Sequence, residues 1–265
     1  MANAPTQPAR QSAPPGPVTR WLASAPVPLF TLVVVFASFS TYFCMYAFRK
    51  PFSAASYNEQ ERTIVVRADT RKDAEKLAKE QNPDLPVVQA IRFSKEPATW
   101  EVVLVKPYLF LGGLTILKTA FVVSQIIGYA LSKIIGIKIC PEIGRRRRAL
   151  GLVLMILLAE LSLLFFAVLP NNLKVVAIFF NGLPLGMVWG LVVLYLEGRR
   201  TSEMLLAGLS CAYIVASGAV KDIGLWLMST FPIDQFWMPC TTGLCFLPLF
   251  LGSVWLLNQL PQPDA

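Results

Sequence analysis

Two adjacent cations, Arg49 and Lys50, end a long apolar segment that begins near Pro28. A charge near the centre of a bilayer costs about 3 kcal/mol on insertion scales, and much less near an interface. The two cations therefore either mark the point where a membrane helix leaves the bilayer or line a polar cavity within it. A guanidinium that faces such a cavity could hold an anion through paired hydrogen bonds.

Helical spacing separates the two cations. At 100° per residue, Tyr42, Tyr46 and Arg49 fall within roughly 60° of one another, whereas Lys50 lies about 80° from Tyr42. In the apolar run that begins near residue 112, the polar residues also fall on one helix face, in a stripe roughly 100° wide. They are Lys118, Gln125, Tyr129, Ser132 and Lys133. Another segment, with Ser210, Tyr213, Ser217 and Lys221, places its polar groups within roughly 80°.

A helix that faces lipid on all sides would not collect its polar groups on one face. The stripes therefore predict helices that line a polar cavity, and Ser and Tyr side chains that bond neighbouring membrane helices are the alternative. In that alternative, Arg49 and Lys50 are anchors at one membrane interface, and Lys133 is an anchor at the other. On the cavity interpretation, the candidate substrate-binding residues are Arg49, Lys50, Tyr42, Tyr46, Lys118, Gln125, Tyr129 and Lys133.

Enzymatic residue patterns are missing from the sequence. The chain has no histidine, and it contains no paired-carboxylate or nucleophile motif. Its five cysteines include no C-x-x-C pair, which argues against a zinc site or a disulfide framework. We therefore expect no enzyme, no catalytic residue, no metal and no cofactor.

The composition is that of an integral membrane protein. Of the 265 residues, 55% are hydrophobic and only 15% are charged, and the mean hydropathy is +0.55. The net charge of +8 is explained by loop charges that set membrane topology, so no nucleic acid partner is expected.

The apolar runs predict an all-α membrane protein with six transmembrane helices and a small α+β insert between helices 1 and 2. Residues 1–27 are predicted to be a disordered tail, 28–55 the first helix, 56–109 a βαββ insert, 110–260 helices 2–6, and 261–265 a second tail. Lys174 is in a short loop on one side of the membrane. Most other loop cations, including Arg145 to Arg148, are in loops on the opposite side. The positive-inside rule therefore places both termini in the cytoplasm and the insert on the extracytoplasmic side.

Several stretches resemble the major facilitator superfamily of transporters. Gly136 and the arginines from Arg145 to Arg148 resemble the loop between its second and third helices, although Cys140 stands where that loop has an aspartate. This resemblance makes Gly136, Glu142, Arg145 and Arg146 candidate gating-loop residues.

The helices of organophosphate:phosphate antiporters, a branch of that superfamily, are similar to three stretches: Tyr46–Ala55, Gly128–Gly136 and Gly186–Trp189. A bacterial branch of unassigned substrate shares the Tyr-Ala-Phe-Arg-Lys-Pro-Phe and Asn-Gly-Leu-Pro-Leu-Gly-Met-Val-Trp-Gly stretches. The resemblance implies one half of a twelve-helix fold in a bacterial inner membrane. The chain would then be a fragment, a split gene product, or a six-helix protein that pairs with a C-terminal half or a second copy.

These observations predict a secondary transporter, or its N-terminal half, that moves a small anionic metabolite across the membrane by alternating access. Glu160, near the middle of the third span, is either a proton-coupling acid or a structural partner, and the second role is favoured. The competing hypothesis is a membrane anchor or sensor that does not transport and that uses the extracytoplasmic insert.

Overall fold

The computed structural model describes residues 16–57, 61–83, 87–94, 99–105, 108–111, 113–199 and 201–261. Six helices in these ranges are long and apolar enough to cross a membrane. They are α2 (Val27–Ala47), α4 (Leu117–Glu142), α5 (Arg145–Val168), α6 (Asn171–Leu196), α7 (Ser202–Thr230) and α8 (Met238–Asn258). The prediction of six membrane helices with a small α+β insert between the first two is confirmed.

A short helix, α1 (Pro17–Ser24), precedes the first span, in a segment that the sequence predicts to be disordered. Pro17 occupies the first helical position, where its missing N–H has no cost. Leu22 is fully buried, and the Thr19 hydroxyl donates to Gln259 Oε1 at 3.1 Å. Contact with the last residues of the chain thus orders what composition alone marks as a tail. Residues 1–15 and 262–265 lie outside the described residues.

The insert has its own small core. It contains β1 (Glu61–Arg67), α3 (Arg71–Gln81), β2 (Val87–Ser94) and β3 (Thr99–Val105), and β3 is the central strand of an antiparallel sheet. Thr70 caps α3 by accepting from the Asp73 amide. Val102, Leu104, Ala74 and Ala78 are buried together, which covers one face of the sheet with α3.

A second, two-stranded sheet precedes α4. It pairs β4 (Tyr108–Phe110) with β5 (Gly113–Thr115), and α4 begins only at Leu117. The sequence places the start of the second span near residue 110, because these residues are as apolar as the helix that follows. Leu111 at the turn has a φ of 49°, a left-handed conformation that a helix cannot contain.

Small residues bring α4 and α6 into close contact. Gly182 lies so close to α4 that a Cβ there would be 2.5 Å from the Gln125 carbonyl oxygen. A Cβ on Gly186 would be 2.7 Å from the Tyr129 carbonyl oxygen. Small residues spaced four apart commonly let membrane helices approach in this way. The approach fixes how the side chains of α4 meet those of α6, and the candidate site depends on this register.

Candidate functional site

The site is built around the point where α2 ends. The helix stops at Ala47, and its last turn tightens, because the amides of Phe48 and Arg49 donate to carbonyls only three residues earlier, at 3.1 Å each. A single 3-10 turn, Pro51–Ser53, follows. The carbonyls of Phe48 and Arg49 therefore need partners from elsewhere in the protein.

Two amide side chains supply those partners, and we call Gln125 and Asn181 the amide clamp. Asn181 Nδ2 donates to the Phe48 carbonyl at 3.1 Å, and Gln125 Nε2 donates to the Arg49 carbonyl at 2.9 Å. Gln125 Nε2 also donates to Asn181 Oδ1 at 2.8 Å, and Asn181 Nδ2 donates to the Ala159 carbonyl at 3.1 Å. Both side chains are buried. The clamp joins α4, α5 and α6 to the end of α2.

The clamp holds the backbone of Arg49 while its guanidinium lies over aromatic rings. The Arg49 Cζ atom is 3.7 Å from the centroid of the Tyr129 ring and 5.6 Å from that of Tyr46. Arg49 Nε is buried and has no hydrogen-bond partner in the described part of the chain. A guanidinium stacked on a ring in this way keeps its edge available for an anion.

Aromatic side chains continue this surface across three helices. The Tyr42 ring lies 5.6 Å from Tyr46 and 5.0 Å from Trp189 of α6, and Trp189 lies 6.4 Å from Tyr213 of α7. Tyr42 and Tyr46 are buried, whereas Tyr213 is 41% exposed. α2, α4, α6 and α7 thus share one polar and aromatic face.

The predicted lysines lie at different distances from Tyr129, whose ring lies under Arg49. Lys133 is exposed, and its Nζ atom is 5.0 Å from the Tyr129 ring that Arg49 covers. Lys118 is half-buried at the start of α4, about 16 Å along the helix from Tyr129. Lys50 is half-buried and adjacent to Arg49 in the chain. The structure therefore gathers Arg49, Lys133 and the tyrosines around Tyr129, with Lys50 adjacent and Lys118 farther away.

The four candidate gating-loop residues lie in the second half of α4 and at the start of α5, and Glu142 and Arg145 line one cavity at the turn between these helices. Gly136 lies within α4, where a Cβ would be 3.1 Å from Met187 Cγ. Glu142 is the exposed last residue of α4, and Arg145 begins α5 and donates to the Leu260 carbonyl. The side chain of Arg146 lies outside the described residues. Within the described residues, the ion pairs are those inside α3, so a gating ion pair stays a prediction.

The sequence did not predict the partners of two buried polar side chains, Asn181 and Glu160. Asn181 is a lone asparagine in an apolar span, which is itself a signal for a hydrogen bond between membrane helices. Glu160 is buried against α8, where Cys240 Sγ donates to Glu160 Oε1 at 3.1 Å and Oε2 has no partner among the described residues. The spacing of residues along α5 cannot predict which residue of another helix will contact the Glu160 carboxylate.

The six candidate spans define a multi-pass membrane protein, and four of them share the polar face described above. Residues 110–265 match the model of a family described as a family of unknown function (DUF5690), and the chain belongs to this family. Comparisons with curated proteins and with solved structures found no match.

Proposed function

We propose that the protein is a secondary transporter, or the N-terminal half of one, and that it binds a small anionic metabolite at Arg49. Arg49 would hold the anion by a guanidinium fork, and Lys133, Lys50 and Lys118 would supply a positive potential. Tyr42, Tyr46 and Tyr129 would donate or accept hydrogen bonds at the solute. The proposal involves no covalent chemistry and no cofactor.

The environment of Arg49 is the observation that carries this proposal. The amide clamp fixes its backbone, Tyr129 supports its guanidinium at 3.7 Å, and its buried Nε has no partner in the described residues. A buried donor without a partner costs about 1–3 kcal/mol. An anchor at the membrane interface would extend its charge into water instead. Gln125 donates to the backbone, so we assign it to positioning Arg49 rather than to contact with the solute.

The exposed part of the polar face supports a second helical body. Lys133 and Tyr213 are exposed on helices whose other faces are apolar. A lysine that faces lipid tails costs roughly 3 kcal/mol at the bilayer centre. Further helices, from a C-terminal half or from a second copy, would cover this face and form the other wall of the cavity. Rocking of the two bodies would then give alternating access, as the resemblance to the major facilitator superfamily suggests.

The distribution of cations supports an orientation with cytoplasmic termini. Lys138, Arg145, Arg147, Arg148 and Arg199 lie at the end of the bundle that also holds α1 and the last described residues. The positive-inside rule places that end in the cytoplasm and the insert outside, and the resemblance to bacterial transporters implies a bacterial inner membrane.

The test combines binding and uptake for wild type, Arg49→Ala and Arg49→Lys. Purified full chain would be titrated with inorganic phosphate, a sugar monophosphate and a dicarboxylate, and the same radiolabelled solutes would be offered to proteoliposomes. Loss of the fork should weaken binding roughly tenfold to a hundredfold, because hydrogen bonds to charged groups contribute about 1.5–3 kcal/mol each. Arg49→Lys should be intermediate, since it keeps the charge but not the fork.

Arg67→Ala is the matched control, because Arg67 is an exposed arginine on the insert. It should bind like wild type. Equal binding by Arg49→Ala and wild type for every bound anion would reject Arg49 as a ligand.

The sensor hypothesis rests on the insert, whose sheet exposes Val65 to 68%. Deleting residues 58–107 and joining the flanking segments with a short flexible linker separates the two functions. A transporter should retain anion binding at Arg49 after this deletion, whereas a sensor would lose its ligand.

A further inference from the structure

A cavity of about 500 Å³ opens at the end of the bundle opposite the insert. Arg145 and Arg148 of α5 line it together with Tyr195 of α6 and with Glu197 and Arg199 of the turn that follows. We call it the arginine pocket. About 20 Å of α4 separates Tyr129, under Arg49, from Glu142 at this end, so the pocket is distinct from the site proposed above.

Backbone carbonyls at helix ends hold the three arginines in place. Arg145 donates to the Leu260 carbonyl, Arg148 to Leu194 at 2.7 Å, and Arg199 to Tyr195 at 3.1 Å and Pro261 at 2.8 Å. Capping the negative end of α6 accounts for part of this arrangement. A guanidinium has five N–H donors, and the contact of Arg145 uses one of them. The carbonyls thus fix the cations without exhausting the donors of Arg145.

The hydroxyl of Tyr195 is the second observation. Tyr195 is only 4% exposed, and its hydroxyl is buried with no hydrogen-bond partner in the described residues. Its ring centroid lies 5.9 Å from the Arg148 guanidinium carbon. Buried hydroxyl groups are nearly always hydrogen-bonded in native proteins. Tyr195 lines a basic cavity, and its buried, unpaired hydroxyl is a donor that the oxygen of a ligand entering this cavity would satisfy.

The charges at the pocket call for an anion. Three guanidiniums face one carboxylate, that of Glu197, which is exposed. Arg145 and Arg148 lie on adjacent turns of α5 and Arg199 lines the same cavity, so their like charges repel one another. An anion bound among them would relieve that repulsion.

We propose that the arginine pocket binds a phosphate group, with Arg145, Arg148 and Arg199 contacting its oxygens and the Tyr195 hydroxyl donating to one of them. Arginine forks match the geometry of phosphate oxygens. The ends of membrane helices lie at the level of lipid headgroups, and basic pockets between helices bind phosphorylated headgroups there. The phosphate could thus come from an anionic phospholipid or from solution.

The experiment has two arms, both with the full chain. In the first, the protein in detergent is titrated with inorganic phosphate. In the second, it is placed in nanodiscs of phosphatidylcholine with increasing phosphatidylglycerol, and the lipid that co-purifies after detergent extraction is measured. Tyr195→Phe removes only the hydroxyl, and Arg148→Gln removes a charge. Arg147→Gln is the matched control, because Arg147 is exposed on the same helix and does not line this pocket.

Tyr195→Phe should weaken binding roughly fivefold, and Arg148→Gln at least tenfold, in whichever arm carries the natural source. Arg147→Gln should bind like wild type. If Tyr195→Phe and Arg148→Gln weaken binding only in the lipid arm, the pocket is a headgroup site. If they weaken binding only in the phosphate arm, it is a site for free phosphate. The proposal is overturned if neither arm shows binding, or if Arg147→Gln weakens it as much as Tyr195→Phe. Because Tyr195→Phe keeps every arginine cap, misfolding of Arg148→Gln leaves the test intact.

Discussion

Replacing Asn181 by leucine tests whether the amide clamp holds the end of α2. Asn181 is fully buried and makes three hydrogen bonds, to the Phe48 carbonyl, the Ala159 carbonyl and the Gln125 amide. Leucine has the same heavy-atom branching as asparagine but is larger, so the change removes the bonds without opening a cavity, and any cost of overpacking adds to that loss. The Phe48 carbonyl, outside the helix, loses the partner that the structure gives it.

The size of the effect follows from hydrogen bonds measured between membrane helices. These contribute on average about 0.6 kcal/mol each, with a maximum of about 1.7 kcal/mol. Three of them give about 2 kcal/mol, and the orphaned Phe48 carbonyl raises the expectation to about 2–3 kcal/mol. The Ala159 carbonyl loses less, because it lies within α5 and keeps its helical environment.

The assay is the free energy of unfolding, measured by SDS titration in mixed micelles with tryptophan fluorescence. Hydrogen exchange of the segment from Cys44 to Tyr57 gives a local readout, and it should speed up in Asn181→Leu. Asn172→Leu is the control, since Asn172 is exposed at the start of α6. It should change the unfolding free energy by less than about 0.5 kcal/mol. If Asn181→Leu unfolds within 0.5 kcal/mol of wild type and its exchange is unchanged, the clamp does not position Arg49.

Two further substitutions test the packing around the site. Gly186→Ala should lower the free energy of unfolding by about 1–3 kcal/mol, because its Cβ would lie 2.7 Å from the Tyr129 carbonyl oxygen, whereas Gly252→Ala, with no neighbour within 4 Å, should not lower it. Equal effects in the two variants would exclude close helix contact as the cause. Glu160→Gln should leave the unfolding free energy unchanged or raise it by about 1 kcal/mol, because a buried carboxylate whose donor among the described residues is the Cys240 thiol is costly to keep ionised. A loss above 2 kcal/mol in the same SDS titration would instead give the Glu160 carboxylate a strong structural role.

The membrane spans were predictable because each is defined by a run of consecutive apolar residues, which the sequence shows directly. An apolar run such as Ala149–Leu169 has few other stable environments than a bilayer, and α5 fills nearly that range. The insert was predictable for a similar reason, since Thr70 and Asn82-Pro83 bracket α3 with local capping and breaking signals. Helix α1 was not predictable, because its order comes from contact with residues more than two hundred positions later.

The site was predictable only within single helices. Spacing placed Arg49 on the side of Tyr42 and Tyr46, and in the structure its guanidinium does lie near Tyr46. Spacing could not give Tyr129 as its closest ring, since that depends on how α2 and α4 are set against each other. It also could not show that α2 ends at Ala47, because the apolar pattern continues through Phe48 without a break.

Arg49 is held at the polar face by contacts with other helices, and these contacts are possible because α2 ends at Ala47. Had α2 continued, the carbonyls of Phe48 and Arg49 would have been used within the helix, and Gln125 and Asn181 would be buried amides without these partners. The early end frees those two carbonyls for the clamp, and Gly182 brings α6 close enough to α4 for the two amides to meet. The position of Arg49 is therefore set by the contact between α4 and α6, two helices to which it does not belong. Loosening that contact, as Gly186→Ala should do, ought to weaken anion binding at Arg49 although Gly186 is not one of the proposed anion ligands.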